Sequence, residues 1–218
     1  MREANTVGAR SDSWLTKVAR VLNRRFETDG PDRPLVELAQ AGLDREVWRP
    51  LMLWHMTRRE FLVRDFLVGW LYPQYRDGVL VVRAEDAWPY LRALPASVIG
   101  EKPWTERTVK RVASGLLRIA ADFGLMSGKV TREFATYRLP DPSFLYLLHA
   151  MRERLGSPGR IIECPDWRMY LMSPADVEQE LLRLHQFRKL HYEVAGTLRQ
   201  LELPCESLED YVKELRCE

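Results

Sequence analysis

Between Arg58 and Tyr72 the chain contains Phe61-Leu-Val-Arg-Asp-Phe-Leu-Val-Gly-Trp-Leu-Tyr72, a helix-forming stretch whose apolar side chains wrap most of the way round its axis. A helix with so narrow a polar strip has to be enclosed by other elements. It cannot cross a bilayer instead. The longest charge-free runs are ten residues, Phe66–Tyr75 and Pro142–Met151, and a spanning helix needs about 20 mostly apolar residues. The stretch is therefore expected to be the central core helix of the N-terminal half, ended by Pro73. Met1–Arg10 has no apolar run of the secretory kind. Three scattered cysteines, Cys164, Cys205 and Cys217, make no disulfide framework, so the expected compartment is reducing and cytoplasmic.

Around that segment the pattern is helix after helix, punctuated by caps and turn residues. Ser11-Asp12 starts a helix reaching about Glu27, with Trp14, Leu15, Val18, Val21, Leu22 and Phe26 as its expected buried stripe. Thr28–Pro34 is a loop, and a short helix follows to Ala41, stopped by Gly42. Asp44 caps the next helix, where Pro50 is tolerated only in the first turn. Val79–Arg83 is expected as a short strand and Glu85–Leu94 as a helix. Pro95–Lys102 is a joint, which divides the chain into a helical domain at 1–100 and a second domain at 101–218. In the second, Thr105 caps a helix running to Phe123, with Gly124 as its stop. Leu125–Leu139 alternates as an extended ribbon about Ser127-Gly128. Pro142–Leu155 is a helix, and Arg160–Cys164 is expected as a strand. Ser173-Pro174 starts another helix, His191–Leu203 alternates about Gly196 as a hairpin, and Ser207 caps the last helix, Leu208–Leu215. Helix followed by ribbon thus occurs twice, at 105–139 and 174–203. The expected fold class is mainly α with short β-ribbons, built from two small helix-turn-helix or winged-helix-like parts.

Charge separates along the chain in a way the net value of +2 conceals. Residues 1–160 hold 26 Lys and Arg against 19 Asp and Glu, a balance of +7, and residues 161–218 hold 7 against 12, a balance of −5. Such asymmetry points to a polyanion-facing surface. The densest part, 102–138, has eight basic residues against three acidic ones. On a helix starting near Thr105, residues Arg107, Lys110, Arg111, Ser114 and Arg118 fall at i, i+3, i+4, i+7 and i+11. They form one cationic stripe opposite the apolar one. Thr105 and Thr108 at the helix start suit a phosphate, and arginines there could instead read guanine edges. Lys102, Lys129 and Arg132 flank the stripe. Lys17, Arg20, Arg24 and Arg25 form a second cluster, of which Arg20, Arg24 and Arg25 would extend the track.

Catalytic patterns are missing. There is no Gly-x-Ser-x-Gly, no Gly-x-x-x-x-Gly-Lys-Ser/Thr and no Cys-x-x-Cys, and the near pair His185 and His191 is spaced six apart, off a common helix face. His149 and His185 sit beside apolar helix positions and are expected to be packed. Neither a catalytic residue, a metal, a cofactor nor a small-molecule substrate is expected. The chain is expected not to be an enzyme.

The stretches Lys102-Pro-Trp-Thr105, Thr108-Val-Lys-Arg-Val-Ala113 and Ala121-Asp-Phe-Gly-Leu125 resemble the BrxA family, small components of bacteriophage-exclusion (BREX) defence systems. The resemblance continues through Pro165-Asp-Trp167, Ser173-Pro-Ala-Asp-Val177, Ala195-Gly196 and Leu208-Glu-Asp-Tyr-Val212. It is looser in the N-terminal half, at the 12–27 helix and at Phe61 and Asp65-Phe66. It implies a mainly helical protein of two helix-turn-helix-like parts that binds double-stranded DNA without catalysis, alongside other BREX subunits and away from the membrane. The residues proposed for contact come from charge, not from the resemblance. An adaptor that joins other subunits through its acidic 161–218 part, and an RNA-binding helical protein, stay open as alternatives.

Overall fold

Phe66, Leu67 and Leu71 are enclosed almost completely, so the apolar segment after Glu60 does lie at the centre of the N-terminal half. The computed structural model describes residues 11–100, 102–196 and 198–217. Met1–Arg10, expected above to hold no apolar run, lies outside them. The chain is mainly helical with two small antiparallel sheets.

Helix α1 (Asp12–Arg25), α2 (Arg33–Gln40) and α3 (Arg45–Thr57) come first. The Asp44 carboxylate caps α3, accepting from the Glu46 N–H at 2.7 Å. Pro50 lies in the second turn of α3, later than the sequence argument allowed. It is fully packed, and its carbonyl accepts the Tyr170 hydroxyl at 2.9 Å. Tertiary packing thus offsets the missing backbone hydrogen bond.

The core helix runs as α4 (Phe61–Asp65), a π-helical segment (Phe66–Leu71) and α5 (Tyr72–Arg76). Pro73 does not end it, contrary to expectation. The π segment widens the helix where the proline ring would meet the carbonyl four residues back, and the chain stays helical for another turn. The expected stripe of α1 also needs correcting. Only Leu15 is buried there, while Trp14 is 47% exposed and Val21 and Leu22 are 39% exposed. Periodicity creates an apolar stripe but supplies no surface opposite it. This helix is held at its C-terminal end, where Arg24 and Arg25 both donate to Glu60 Oε1 at 2.9 Å.

Strand β1 (Val81–Val82) leads through a 3-10 turn (Ala84–Ala87) into α6 (Trp88–Arg92), the short α7 (Ala96–Ile99) and α8 (Glu106–Asp122). Strands β2 (Met126–Ser127) and β3 (Arg132–Phe134) follow, in the antiparallel order β1-β3-β2 with Val81 opposite Glu133 and Met126 opposite Phe134. The sheet joins residues on both sides of position 100.

Helix α9 (Asp141–Leu155) is buried on nearly every side and packs against α3. Residues 160–162, expected in a strand, belong to α10 (Pro158–Ile162). Ser157 caps that helix, its hydroxyl accepting from the Arg160 N–H at 3.4 Å. Ser157-Pro158 is the same start signal as Ser173-Pro174. Helix α11 (Pro174–Gln186) then precedes the hairpin of β4 (His191–Ala195) and β5 (Leu198–Glu202), paired from His191–Glu202 to Ala195–Leu198. Helix α12 (Leu208–Leu215) closes the chain against α9 and α2. One hydrophobic cluster runs from α2 to α12, from Leu35 to Leu215, without a member on α1.

Candidate nucleic-acid interface

Helix α8 is amphipathic because its two residue classes repeat at helical spacing on opposite sides. Val109, Ala113, Leu116, Leu117 and Ala120 are buried. Arg107, Lys110, Arg111, Ser114 and Arg118 are exposed on the other face. The start is fixed by Thr105, whose hydroxyl oxygen accepts from the Thr108 N–H at 3.3 Å, with the two hydroxyls 3.0 Å apart. Gly124, at φ +81°, stops the helix in the left-handed region. Trp104, just ahead of the cap, is half-buried and packs on the core.

Neighbouring elements leave the stripe more cationic than the sequence suggested. Glu106 is the acid at the helix start, and Arg92 of α6 grips it with Nε at 3.1 Å and Nη2 at 2.8 Å. That hydrogen bonding holds the Glu106 carboxyl below its usual range. Lys110 Nζ lies 5.1 Å from the Trp88 ring centroid, and Arg92 lies 5.8 Å from the same ring. The indole therefore steadies the Lys110 ammonium without removing its charge. Arg118 has only a loose contact to Asp122 at 3.7 Å, both side chains being largely exposed, which is a weak pair in water. The Ser114 hydroxyl donates back to the Lys110 carbonyl at 2.9 Å.

The β2–β3 ribbon packs against α8. Its tip is a built turn, with Gly128 at φ +92° and Arg132 Nη1 donating to the Gly128 carbonyl at 2.9 Å. Lys129 and Val130 project from it, Val130 being 85% exposed. The thirteen candidate residues thus separate into groups. Lys102, Arg107, Lys110, Arg111, Arg118 and Lys129 are exposed cations on α8 or beside it. Arg132 braces the turn, and Thr105, Thr108 and Ser114 make local hydrogen bonds. Arg24 and Arg25 are engaged by Glu60, which leaves Arg20 exposed on α1.

Arg92 and Trp88 escaped the sequence argument although they shape the stripe. Their i, i+4 spacing on α6 was a visible signal, but nothing local says that α6 lies beside the start of α8. Among the described residues no group of three or more His, Cys, Asp or Glu could hold a metal ion. No helix among them is long and apolar enough to cross a membrane.

The BrxA family model matches residues 1–150 of the chain. The chain belongs to the BrxA family. BrxA proteins are components of BREX phage-defence systems, and this BrxA chain is accordingly one of them. The match takes in α1 through most of α9, and with them all thirteen candidate residues. It extends over the N-terminal half, where the sequence resemblance is looser, and stops before Pro165-Asp-Trp167 and the later segments. No curated protein and no solved structure matches this BrxA chain.

Proposed function

We propose that this BrxA chain is a cytoplasmic, non-catalytic component of a BREX system that binds double-stranded DNA, docking α8 and the β2–β3 ribbon on backbone phosphates. The observation that carries this reading is the exposed row Arg107, Lys110, Arg111 and Arg118, whose neighbouring acid Glu106 is already held by Arg92. Topology supports it as well. The order core helix, β1, α6, α7, α8, β2, β3 with a β1-β3-β2 sheet is compatible with a winged-helix reading, in which α8 would face a groove. This DNA-facing unit would draw on both expected domains, 1–100 and 101–218.

Helices α9, α10 and α11 with the β4–β5 hairpin repeat the helix-and-ribbon order. There the exposed charges are mixed, with Asp176, Glu193 and Glu202 beside Arg188, Lys189 and Arg199. The 161–218 part as a whole keeps its balance of −5, which disfavours phosphate, so we assign it to contacts with other BREX subunits.

Most of the affinity should come from counterion release. Changing Arg107, Lys110 and Arg111 together to Ala is expected to weaken duplex binding at least tenfold. It should also lower the slope of log K against log salt by about 3, roughly one per phosphate contact removed. Mobility shifts at several salt concentrations, with a structured RNA as competitor, measure both. Unchanged duplex affinity in this variant would overturn the placement.

A further inference from the structure

Asp166 lies behind the junction of α3, α4 and α9, and its carboxylate is only 5% exposed. Arg64 Nη2 donates to its Oδ1 at 2.6 Å, Arg154 Nη2 to its Oδ2 at 2.8 Å, and the Trp54 indole N–H to Oδ2 at 3.2 Å. Burial alone would raise this carboxyl, but the hydrogen bonds from Arg64 and Arg154 outweigh it and hold the group ionised below its usual range. Two guanidiniums are thereby fixed around one negative charge.

A third joins them. Arg58, at the end of α3, has its guanidinium 5.1 Å from the Trp54 ring centroid, and Arg154 lies 5.8 Å from the same ring. The nearest carboxylate to Arg58 is Asp32, at 4.0 Å and 4% exposed. Asp32 is itself engaged by His55 at 2.6 Å and by the Glu27 N–H at 2.7 Å. Asp166 itself lines the cleft but is almost wholly buried and already bonded by Arg64, Arg154 and Trp54, while the arginine side chains are 36%, 38% and 44% exposed at Arg58, Arg64 and Arg154. All three line a cleft of about 310 Å³ floored by Trp54, with Phe61 at its edge. Trp54, Arg58 and Arg154 also line a neighbouring cleft of about 640 Å³.

Held guanidiniums with spare N–H edges turned to a cavity form a recognition site for a small, doubly charged oxyanion. We propose that this cleft binds the terminal phosphate of a phosphate monoester, gripped by Arg58, Arg64 and Arg154. A monoester suits it better than the singly charged diester of a DNA backbone, because three cations line the cavity against the one carboxylate of Asp166, which leaves an excess of two positive charges. The site is separate from α8 and does not depend on the DNA-binding reading.

Arg58 is the informative position, since its side chain makes no hydrogen bond to the described residues, only the 4.0 Å ion pair with Asp32, and its removal leaves the hydrogen bonds to Asp166 intact. Isothermal titration of the full chain with adenosine 5′-monophosphate, adenosine and inorganic phosphate tests the proposal. The monophosphate should bind and adenosine should not, and Arg58→Ala should weaken the monophosphate at least tenfold while duplex DNA affinity stays unchanged. No heat with the monophosphate, equal binding of adenosine, or an unaltered Arg58→Ala protein would each overturn it. A 5′-phosphorylated single strand set against its 5′-hydroxyl counterpart identifies the source. Competition by the phosphorylated strand alone assigns the site to strand ends, and no competition by either assigns it to free phosphorylated compounds. The Arg107, Lys110 and Arg111 triple variant should bind the monophosphate normally, which keeps this result distinct from any failure of the DNA interface.

Discussion

His149 is fully enclosed on α9 and stacked against Tyr211 with ring centroids 5.0 Å apart. Its Nε2 has no hydrogen-bond partner among the described residues. Burial, with the Arg152 charge adding to it, pushes its pKa from 6.5 down to about 4. His55 moves the same way through burial, opposed in part by its hydrogen bond to Asp32. A depressed histidine pKa means that the unfolded chain takes up the proton first. Stability is therefore complete above about pH 6.5 and falls as the pH drops toward 4, by up to about 1.4 kcal/mol per pH unit for each such histidine. His149→Phe keeps the stacking and removes a buried polar atom left unpaired, so at pH 7 it should be at least as stable as the parent. Between pH 6.5 and 5 its melting temperature should fall clearly less than the parent's, and an identical fall would show that His149 does not contribute. The packed environment of His149 was legible in the sequence from its apolar neighbours on one helix. The Asp166 cluster was not, because Trp54 and Asp166 are 112 positions apart and no local pattern records which distant chain passes behind an indole.

Elements were legible where their signals are local. Thr105, Ser173 and Ser207 each cap a helix as expected, since a cap needs only a hydroxyl and the N–H groups two or three residues on. Pro50 and Pro73 misled for the opposite reason: packing and a π segment rescue helices that local chemistry would end. The α1 stripe failed because periodicity does not say whether an element will be covered. The β2–β3 ribbon gives an element-scale test of the interface. A Cβ at Gly128 would lie 2.2 Å from the Thr131 carbonyl oxygen, and φ is +92°. Gly128→Ala must therefore reshape the tip that presents Lys129, at a cost of about 1–3 kcal/mol in local strain. It should lower duplex affinity by several-fold while leaving the helical content measured by circular dichroism unchanged. A variant that binds duplex like the parent would remove the ribbon from the interface and leave α8 alone.

For the whole molecule, charge and packing divide the chain in different ways. The basic and acidic balances change over near residue 160, yet the hydrophobic cluster continues across that point and across residue 100. The links are long-range. Ser143 donates to the Val47 carbonyl at 2.7 Å, Tyr170 to the Pro50 carbonyl at 2.9 Å, and His55 Nε2 meets the Tyr146 hydroxyl at 2.8 Å. Helix α3 is therefore packed from both halves: loss of the C-terminal half would uncover Trp54, and loss of α3 would uncover Tyr146 and Tyr170. Elements sharing one buried interface of this kind unfold together, because the exposed apolar area destabilises whatever remains. Denaturant unfolding followed by far-ultraviolet circular dichroism and by fluorescence of the seven tryptophans should give coincident single transitions. An early fluorescence transition with helical signal retained would show that one part stands alone, and the α3–α9 contact would then be a docking surface between two domains instead of the inside of one. A single transition has a consequence for function. DNA bound at α8 would stabilise the acidic 161–218 part as well, since a ligand of the folded state raises the stability of everything that folds with it. Duplex should then slow hydrogen exchange in α11 and α12 as well as in α8. Protection confined to α8 and the ribbon would mean that the two surfaces are energetically separate.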